Sequence, residues 1–146
     1  MTGDVIDELM TKYRFSRPAI EICVKARFCC EYCRRDILEL FEYFRFSETD
    51  HLLPKSKYPK LKEVESNHVL SCQTCNILKR NWDPNKNTDG SLLVAADAER
   101  LTDEERKELI TRAKRYVDQV RQAKEAEFNE YRALLRKLGP AGAELS

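Results

Sequence analysis

Two pairs of cysteines, each separated by two residues, constrain the fold of this chain more than any other feature. The pairs are Cys30–Cys33 and Cys72–Cys75. Two intervening residues let both sulfurs of a pair reach one ion from a tight turn, and tetrahedral zinc takes four such ligands. We therefore predict one structural zinc ion held by all four cysteines. The alternatives are two reduced, buried pairs or a dithiol redox site, and the lack of a βαβ pattern around either pair disfavours the second.

Two further cysteines, Cys23 and Cys29, complicate the first pair. Cys29 could replace Cys30 as a ligand, with three residues between it and Cys33. We favour Cys30, because its spacing matches that of the second pair. Cys23 and Cys29 are then expected to be ordinary buried thiols.

Length and composition favour a globular chain. Its 146 residues are 42% hydrophobic and 35% charged, which suits a modest core rather than a disordered chain. No apolar run approaches the roughly 18 residues of a membrane span, and residues 1–14 lack the apolar stretch of a signal peptide. We expect a cytoplasmic protein with no membrane partner. The net charge of +1 leaves any DNA-binding surface to local clusters of basic residues.

The pattern along the chain divides it into three parts. Residues 1–16 form an N-terminal arm, residues 17–87 carry the cysteine pairs, and residues 88–146 hold a linker and a helical extension. Ser16 and Pro18 predict a helix that runs to about residue 27 with Ile20 and Val24 facing inward. The other elements predicted in the middle part are a strand at residues 44–53, a strand at residues 68–71 and a helix at residues 72–81.

The helical extension begins at a capping box over residues 102–105. Apolar residues then recur every three or four positions up to Leu138, apart from a gap near Ala123. This pattern predicts one long amphipathic helix of about 50 Å, or two helices if the gap is a break. Because this is longer than a small domain needs, the segment either folds back as two helices or extends to meet a partner, either a second copy of the chain or another protein.

A second motif lies between the cysteine pairs. It consists of Asp50-His51-Leu52-Leu53-Pro54-Lys55-Ser56, then Asn67, and then Cys72-Gln73-Thr74-Cys75-Asn76 with Lys79. This arrangement resembles the zinc-containing HNH endonucleases, whose pattern is D-H-x-x-P-x-S, an Asn about sixteen residues later, and C-x2-C-[NH]-x2-K. The resemblance covers residues 30–79. Lys57, Tyr58 and Pro59 stand where the family has a glycine pair.

The resemblance implies an α+β chain with a ββα-metal core, here joined to a four-cysteine zinc site, an N-terminal helix and a long C-terminal helix. It also implies hydrolysis of DNA that leaves 3′-hydroxyl and 5′-phosphate ends. The residues suit these roles chemically. His51 is the natural general base, because histidine is the side chain whose unperturbed pKa lies near neutrality. Asp50 and Asn76 offer oxygen ligands for Mg²⁺ or Mn²⁺. Asn67 is expected to accept a ring N–H of His51 and so to orient the base.

The geometry of two adjacent residues is a difficulty for this assignment. On an ideal strand Asp50 and His51 point to opposite faces, so the strand must twist or end there for both to address one phosphate. His68, at the start of the second predicted strand, is expected to have a packing or surface role, and the alternative is a contact with substrate or metal.

Basic residues near this motif could contact a phosphate backbone. Lys79 and Arg80 share a helix face with Asn76, and Lys55 and Lys57 lie in a loop with four lysines and no acids. The alternative is that these are solvated surfaces. Two functions other than a nuclease are open for the whole chain. One is a nucleic-acid-binding module that zinc stabilises and that has no catalytic activity. The other is an interaction protein that acts through the C-terminal helix.

Overall fold

The computed structural model describes residues 2–139. Its helices and strands follow in the order α1 (Thr2–Lys12), α2 (Arg17–Lys25), α3 (Phe41–Arg45), β1 (Glu48–His51), β2 (His68–Ser71), α4 (Gln73–Lys79) and α5 (Asp103–Leu138). Single 3-10 turns at Pro59–Leu61 and Glu65–Asn67 shape the loop between the strands. The chain combines several helices, one of them long and C-terminal, with a small two-stranded sheet, which confirms the predicted α+β class. Residues 140–146, at the end of the predicted third part, lie outside the described residues.

The two strands form an antiparallel sheet in which Asp50 pairs with Val69 and His51 pairs with His68. The second strand lies where the sequence predicted it. The first is shorter than predicted, because Phe44 belongs to α3 and the strand ends at His51. Leu52 and Leu53 leave the strand and are fully buried in the core.

Helix α2 begins where Ser16 caps it, with the Ser16 hydroxyl accepting from the Ala19 N–H. Only half of its predicted inward face is correct. Ile20 is buried, whereas Val24 is 57% exposed. Ile22 and Cys23 pack against a small cluster around Leu70 instead. The predicted N-terminal arm contains α1, which packs on α2.

Helix α5 is one unbroken helix that begins at the predicted capping box, in which Thr102 and Glu105 bond to each other's backbone N–H. Leu109, Ala113 and Val117 lie one turn apart and are buried against the core. From Phe128 onward the large apolar residues are exposed. The prediction of one long helix is confirmed, and the alternative of two helices that fold back is wrong. No helix within residues 2–139 is long and apolar enough to cross a membrane.

Candidate functional site

The sulfur atoms of Cys30, Cys33, Cys72 and Cys75 all lie within 4.8 Å of one another. The Cys33 and Cys72 sulfurs are 3.7 Å apart. A tetrahedral zinc ion with Zn–S bonds of about 2.3 Å requires sulfurs about 3.8 Å apart. The four residues therefore have both the chemistry and the spacing of a zinc site, and the two pairs meet in one cluster.

The two cysteine turns share one backbone pattern. The Cys33 N–H donates to the Cys30 sulfur over 3.5 Å, and the Cys75 N–H donates to the Cys72 sulfur over 3.4 Å. Hydrogen bonds from the neighbouring thiols lower the pKa of Cys30 below its ordinary range, and the bond from Cys33 has the largest effect. Four thiolates at this distance repel one another, so a cation is needed for all four to ionise.

A residue of the C-terminal helix completes the surroundings of the cluster. Arg121 of α5 donates from Nη2 to the Cys75 sulfur over 3.2 Å. Its positive charge offsets part of the negative charge that four thiolates would place around a metal. No sequence motif pointed to Arg121, because it lies 46 residues after Cys75.

Cys23 and Cys29 lie outside the cluster and are half-buried rather than buried. The preference for Cys30 over Cys29 as the ligand is thus consistent with the geometry. Burial raises the pKa of Cys23 above its ordinary value, so it is a thiol at neutral pH.

A cavity of about 340 Å³ opens where β1 ends beside α4. Asp50, His51 and Asn76 all line it. Although Asp50 and His51 are adjacent in sequence, both line this cavity, at the point where β1 ends. Other residues at the walls and rim are Thr49, Pro54, Lys55, Arg80 and Asn81.

The His51 ring is held by a backbone carbonyl. Its Nε2 lies 2.9 Å from the Lys62 oxygen. A carbonyl only accepts hydrogen bonds, so Nε2 carries a proton, and in the neutral form of the ring the lone pair is on Nδ1. The His68 Nε2 donates to the same oxygen over 2.9 Å, and the two rings meet edge to face with centroids 5.3 Å apart. His68 therefore helps to hold the Lys62 carbonyl in the position where it orients the His51 ring.

The Asp50 carboxylate is anchored from behind. Its Oδ2 accepts from the Tyr32 hydroxyl over 2.6 Å and lies 3.5 Å from the Lys79 Nζ. Burial, followed by the Asp50 charge, raises the pKa of Tyr32 well above its ordinary value, so Tyr32 remains a neutral donor. Within residues 2–139 both contacts use Oδ2, which leaves Oδ1 available to a cation. Tyr32 lies inside the first C-x2-C turn, where no sequence pattern indicated this role.

The predicted role of Asn67 is wrong in this structure. Asn67 is fully buried, and its amide oxygen accepts from the Leu53 N–H over 2.8 Å rather than from His51. Its amide nitrogen donates to the carbonyls of Leu53 and Leu61. Asn67 thus holds the chain that follows β1 in position and supports His51 indirectly. The group that accepts the ring N–H of His51 is the Lys62 carbonyl rather than Asn67.

The predicted phosphate-contacting face of α4 also needs correction. Lys79 is only 1% exposed, and its Nζ donates to the His51 carbonyl over 3.1 Å as well as pairing with Asp50. Burial lowers the pKa of Lys79, and the Asp50 charge opposes this shift. A buried lysine cannot contact a DNA backbone. Its role is to tie Asp50 and the end of β1 to α4.

The remaining predicted basic residues are exposed. Lys55 and Arg80 border the cavity, whereas Lys57 is exposed in the loop and does not line it. Arg80 ends α4 with φ 50° and ψ −130°, a backbone conformation that favours glycine. A non-glycine residue there costs of order 1–3 kcal/mol, and such strain is concentrated at functional sites.

Comparisons with known proteins bear on the same region. A family model described as HNH endonuclease matches residues 30–81, which include both cysteine pairs, both strands and α4. The match covers a little over a third of the chain. The searches of curated proteins and of solved structures found no match. The resemblance inferred from the sequence is therefore confirmed for this central segment.

Proposed function

We propose, since residues 30–81 match the HNH endonuclease family, that the protein is a divalent-cation-dependent endonuclease that hydrolyses phosphodiester bonds in DNA. The observation that carries this proposal is the meeting of Asp50, His51 and Asn76 around one cavity. A module that only bound nucleic acid would need neither a tautomer-fixed histidine nor an anchored carboxylate beside it.

His51 acts as the general base. With Nε2 held by the Lys62 carbonyl, Nδ1 removes a proton from a water molecule as its oxygen attacks the phosphorus. The bond between phosphorus and the 3′ oxygen breaks, and that oxygen takes a proton from solvent water and leaves as a hydroxyl. The proton held by His51 then passes to solvent, which restores the base. The products are a 3′-hydroxyl end and a 5′-phosphate end.

Asp50 and Asn76 are the residues that would hold Mg²⁺ or Mn²⁺, through a carboxylate oxygen and an amide oxygen. A cation there would offset the negative charge that builds up on the phosphate. Tyr32 and Lys79 position Asp50, because both bind its Oδ2. In this proposal zinc has no catalytic role: the four cysteines fix α4 against the first cysteine turn.

The proposal is tested by incubating supercoiled plasmid with the full-length protein across a Mg²⁺ and a Mn²⁺ titration. We expect open-circular or linear DNA only when a divalent cation is present, and nicks that DNA ligase can seal because they carry 5′-phosphate and 3′-hydroxyl ends. DNA binding without any cleavage over the whole titration would replace this proposal with the non-catalytic binding module.

Arg80→Gly separates the chemical role of Arg80 from its backbone strain. Glycine relieves the strained conformation at φ 50°, so the melting temperature should stay the same or rise, with a gain of about 1 kcal/mol. The loss of a cation at the cavity rim should weaken DNA binding and cleavage. Stability is measured by thermal unfolding, and DNA binding by filter binding at two salt concentrations.

The matched control for Arg80→Gly is Arg80→Lys, which keeps the charge and the strain. It should bind DNA nearly as well as the wild type without gaining stability. If Arg80→Gly bound and cut DNA as well as the wild type, Arg80 would have no part in phosphate recognition.

A further inference from the structure

A second, larger cleft adjoins the cavity at the end of β1. Asn81 lines the cavity, and Trp82, the next residue, lines a cleft of about 550 Å³. The other wall of this cleft is the first half of α5, including Arg112, Arg115 and Tyr116. Every residue that lines the cleft lies outside residues 30–81, the segment that matches the family model. The cleft is therefore built by the part of the chain that follows the matched segment.

The shape of the cleft is fixed by contacts across it. The rings of Trp82 and Tyr116 stack with their planes 3° apart and their centroids 4.2 Å apart. Arg112 donates to the Pro84 carbonyl over 3.2 Å and to the Asn87 amide oxygen over 2.8 Å. These contacts join the loop that follows α4 to α5, so a partner would meet a preformed surface.

The cavity and the cleft together carry more free positive charge than free negative charge. Five basic and three acidic residues line them. Asp50 pairs with the buried Lys79 over 3.5 Å. Glu108 pairs with Arg112 over 3.0 Å. Asp89 is the one lining acid that has no basic partner among residues 2–139. Four of the lining basic residues make no salt bridge within the same range: Lys55, Arg80, Lys86 and Arg115.

This excess of positive charge is local, because the net charge of the whole chain is only +1. Lys86 and Arg115 are both exposed, so their charges are available to a ligand. A concave surface with such an excess attracts a polyanion. The cleft continues from the cavity at which we propose that DNA is cut, and the polyanion that fits this position is the DNA itself.

An endonuclease cuts a phosphate that has nucleotides on both sides, so the strand must leave the cavity across a neighbouring surface. We propose that the DNA backbone flanking the cut phosphate runs from the cavity into the cleft, where Lys86 and Arg115 contact its phosphates. We call the surface of four residues the DNA track: Arg80, Trp82, Lys86 and Arg115. This inference rests on the nuclease function proposed above. Phosphate contacts carry no sequence information, so the DNA track adds affinity and positions the strand without selecting a sequence.

The first test measures how salt weakens the binding of a short fluorescent duplex to the full-length protein. Binding is followed by anisotropy without added divalent cation, so that no DNA is cut. Each lost phosphate contact lowers the slope of log affinity against log salt by about 0.9. The double variant Lys86→Gln/Arg115→Gln should therefore bind more weakly, with a slope smaller by about two. The loss should be similar for duplexes of unrelated sequence.

The matched control for this variant is Lys12→Gln/Lys25→Gln. It also removes two exposed lysine or arginine charges, from the last turns of α1 and α2, and neither residue lines the cavity or the cleft. Its affinity and its salt slope should equal those of the wild type. Both double variants should melt like the wild type, because Lys86 and Arg115 make no salt bridge within residues 2–139.

The second test uses Trp82 as a reporter within the DNA track. It is the only tryptophan of the chain, it is half-buried, and it lines the cleft. DNA that enters the cleft should change its emission, corrected for absorption by DNA, and should protect it from quenching by acrylamide. In Lys86→Gln/Arg115→Gln the same change should require a higher DNA concentration.

The outcomes separate the DNA track from the nuclease function. A salt slope that is unchanged in Lys86→Gln/Arg115→Gln, or DNA binding that leaves Trp82 unaffected, would overturn the DNA track even if the wild type cuts plasmid. A wild type that binds no DNA at low salt would overturn it as well. Binding with the expected slopes and Trp82 response, but without cleavage at any Mg²⁺ or Mn²⁺ concentration, would support the DNA track and overturn the nuclease function alone.

Discussion

His51→Ala should lower the rate of DNA cleavage by about 10² to 10⁴ fold, the usual cost of removing a general base. Zinc content, melting temperature and DNA affinity should stay close to those of the wild type, because the His51 side chain is half-exposed and its ring bonds to the Lys62 carbonyl rather than to the zinc cluster. The measurement is a plasmid-nicking time course over a Mn²⁺ titration, and added Mn²⁺ should not restore the rate.

His68→Ala is the matched control for this variant. His68 donates to the same carbonyl, but it borders a different cleft that is lined by Glu21, Glu63 and Glu65. His68→Ala removes a residue that supports His51 and leaves the proposed base in place, so the cleavage rate should fall much less than in His51→Ala. If both variants cut DNA at the rate of the wild type, the protein would be a nuclease whose base is not His51.

Variants of the proposed cation ligands should respond differently from His51→Ala. Asn76→Ala removes one ligand, so its activity should recover in part as Mn²⁺ is raised. For Asp50 the informative variant is Asp50→Asn. Asp50→Ala would also leave the buried Lys79 ammonium without its partner and the Tyr32 hydroxyl without its acceptor, which destabilises the fold independently of any metal.

Sequence alone was most reliable where function depends on spacing along the chain. The two cysteine pairs met in one cluster, and α5 began at the capping box that the sequence predicted. These features are local, since a cap or a two-residue turn is built from residues close in sequence. The grouping of Asp50, His51 and Asn76 followed from the family pattern, which stands for a known spatial arrangement.

The failures concern which polar side chains are buried. Asn67 was assigned to catalysis and Lys79 to a contact with the phosphate backbone, and both side chains are buried inside the protein. Nothing in a single sequence separates a lysine that contacts solvent from one that pairs with a buried aspartate, because burial depends on residues distant in sequence. Tyr32 and Arg121 were missed for the same reason.

The periodicity of α5 predicted an apolar face along the helix, but the beginning of that face is buried and its end is exposed. The sequence predicted one apolar stripe that packs on the core or on a partner, and the structure divides it. The first half, up to Val117, is buried against the core, and the second half is exposed. A helical repeat shows which face is apolar and does not show how far along the helix the core extends.

Cys72→Ser should unfold the protein. Structural zinc in small domains contributes about 10–16 kcal/mol of binding free energy, which is also folding free energy. Cys72 has a second role, because its sulfur accepts from the Cys75 N–H at the start of α4. Its loss would release the zinc and loosen the helix that carries Asn76. We expect insoluble protein, or soluble protein without a cooperative thermal transition.

Cys29→Ser provides the matched control, because it also replaces a cysteine sulfur by oxygen, at the residue next to the proposed ligand Cys30. Cys29 lies outside the cluster, so this variant should keep about one zinc per chain by elemental analysis and melt within a few degrees of the wild type. Stripping the metal from the wild type with a strong chelator should reproduce the unfolding of Cys72→Ser. A wild type that is folded and contains no zinc, or a Cys72→Ser variant that melts like Cys29→Ser, would contradict a structural zinc site. The cysteine cluster would then stabilise the fold only as ordinary buried thiols do.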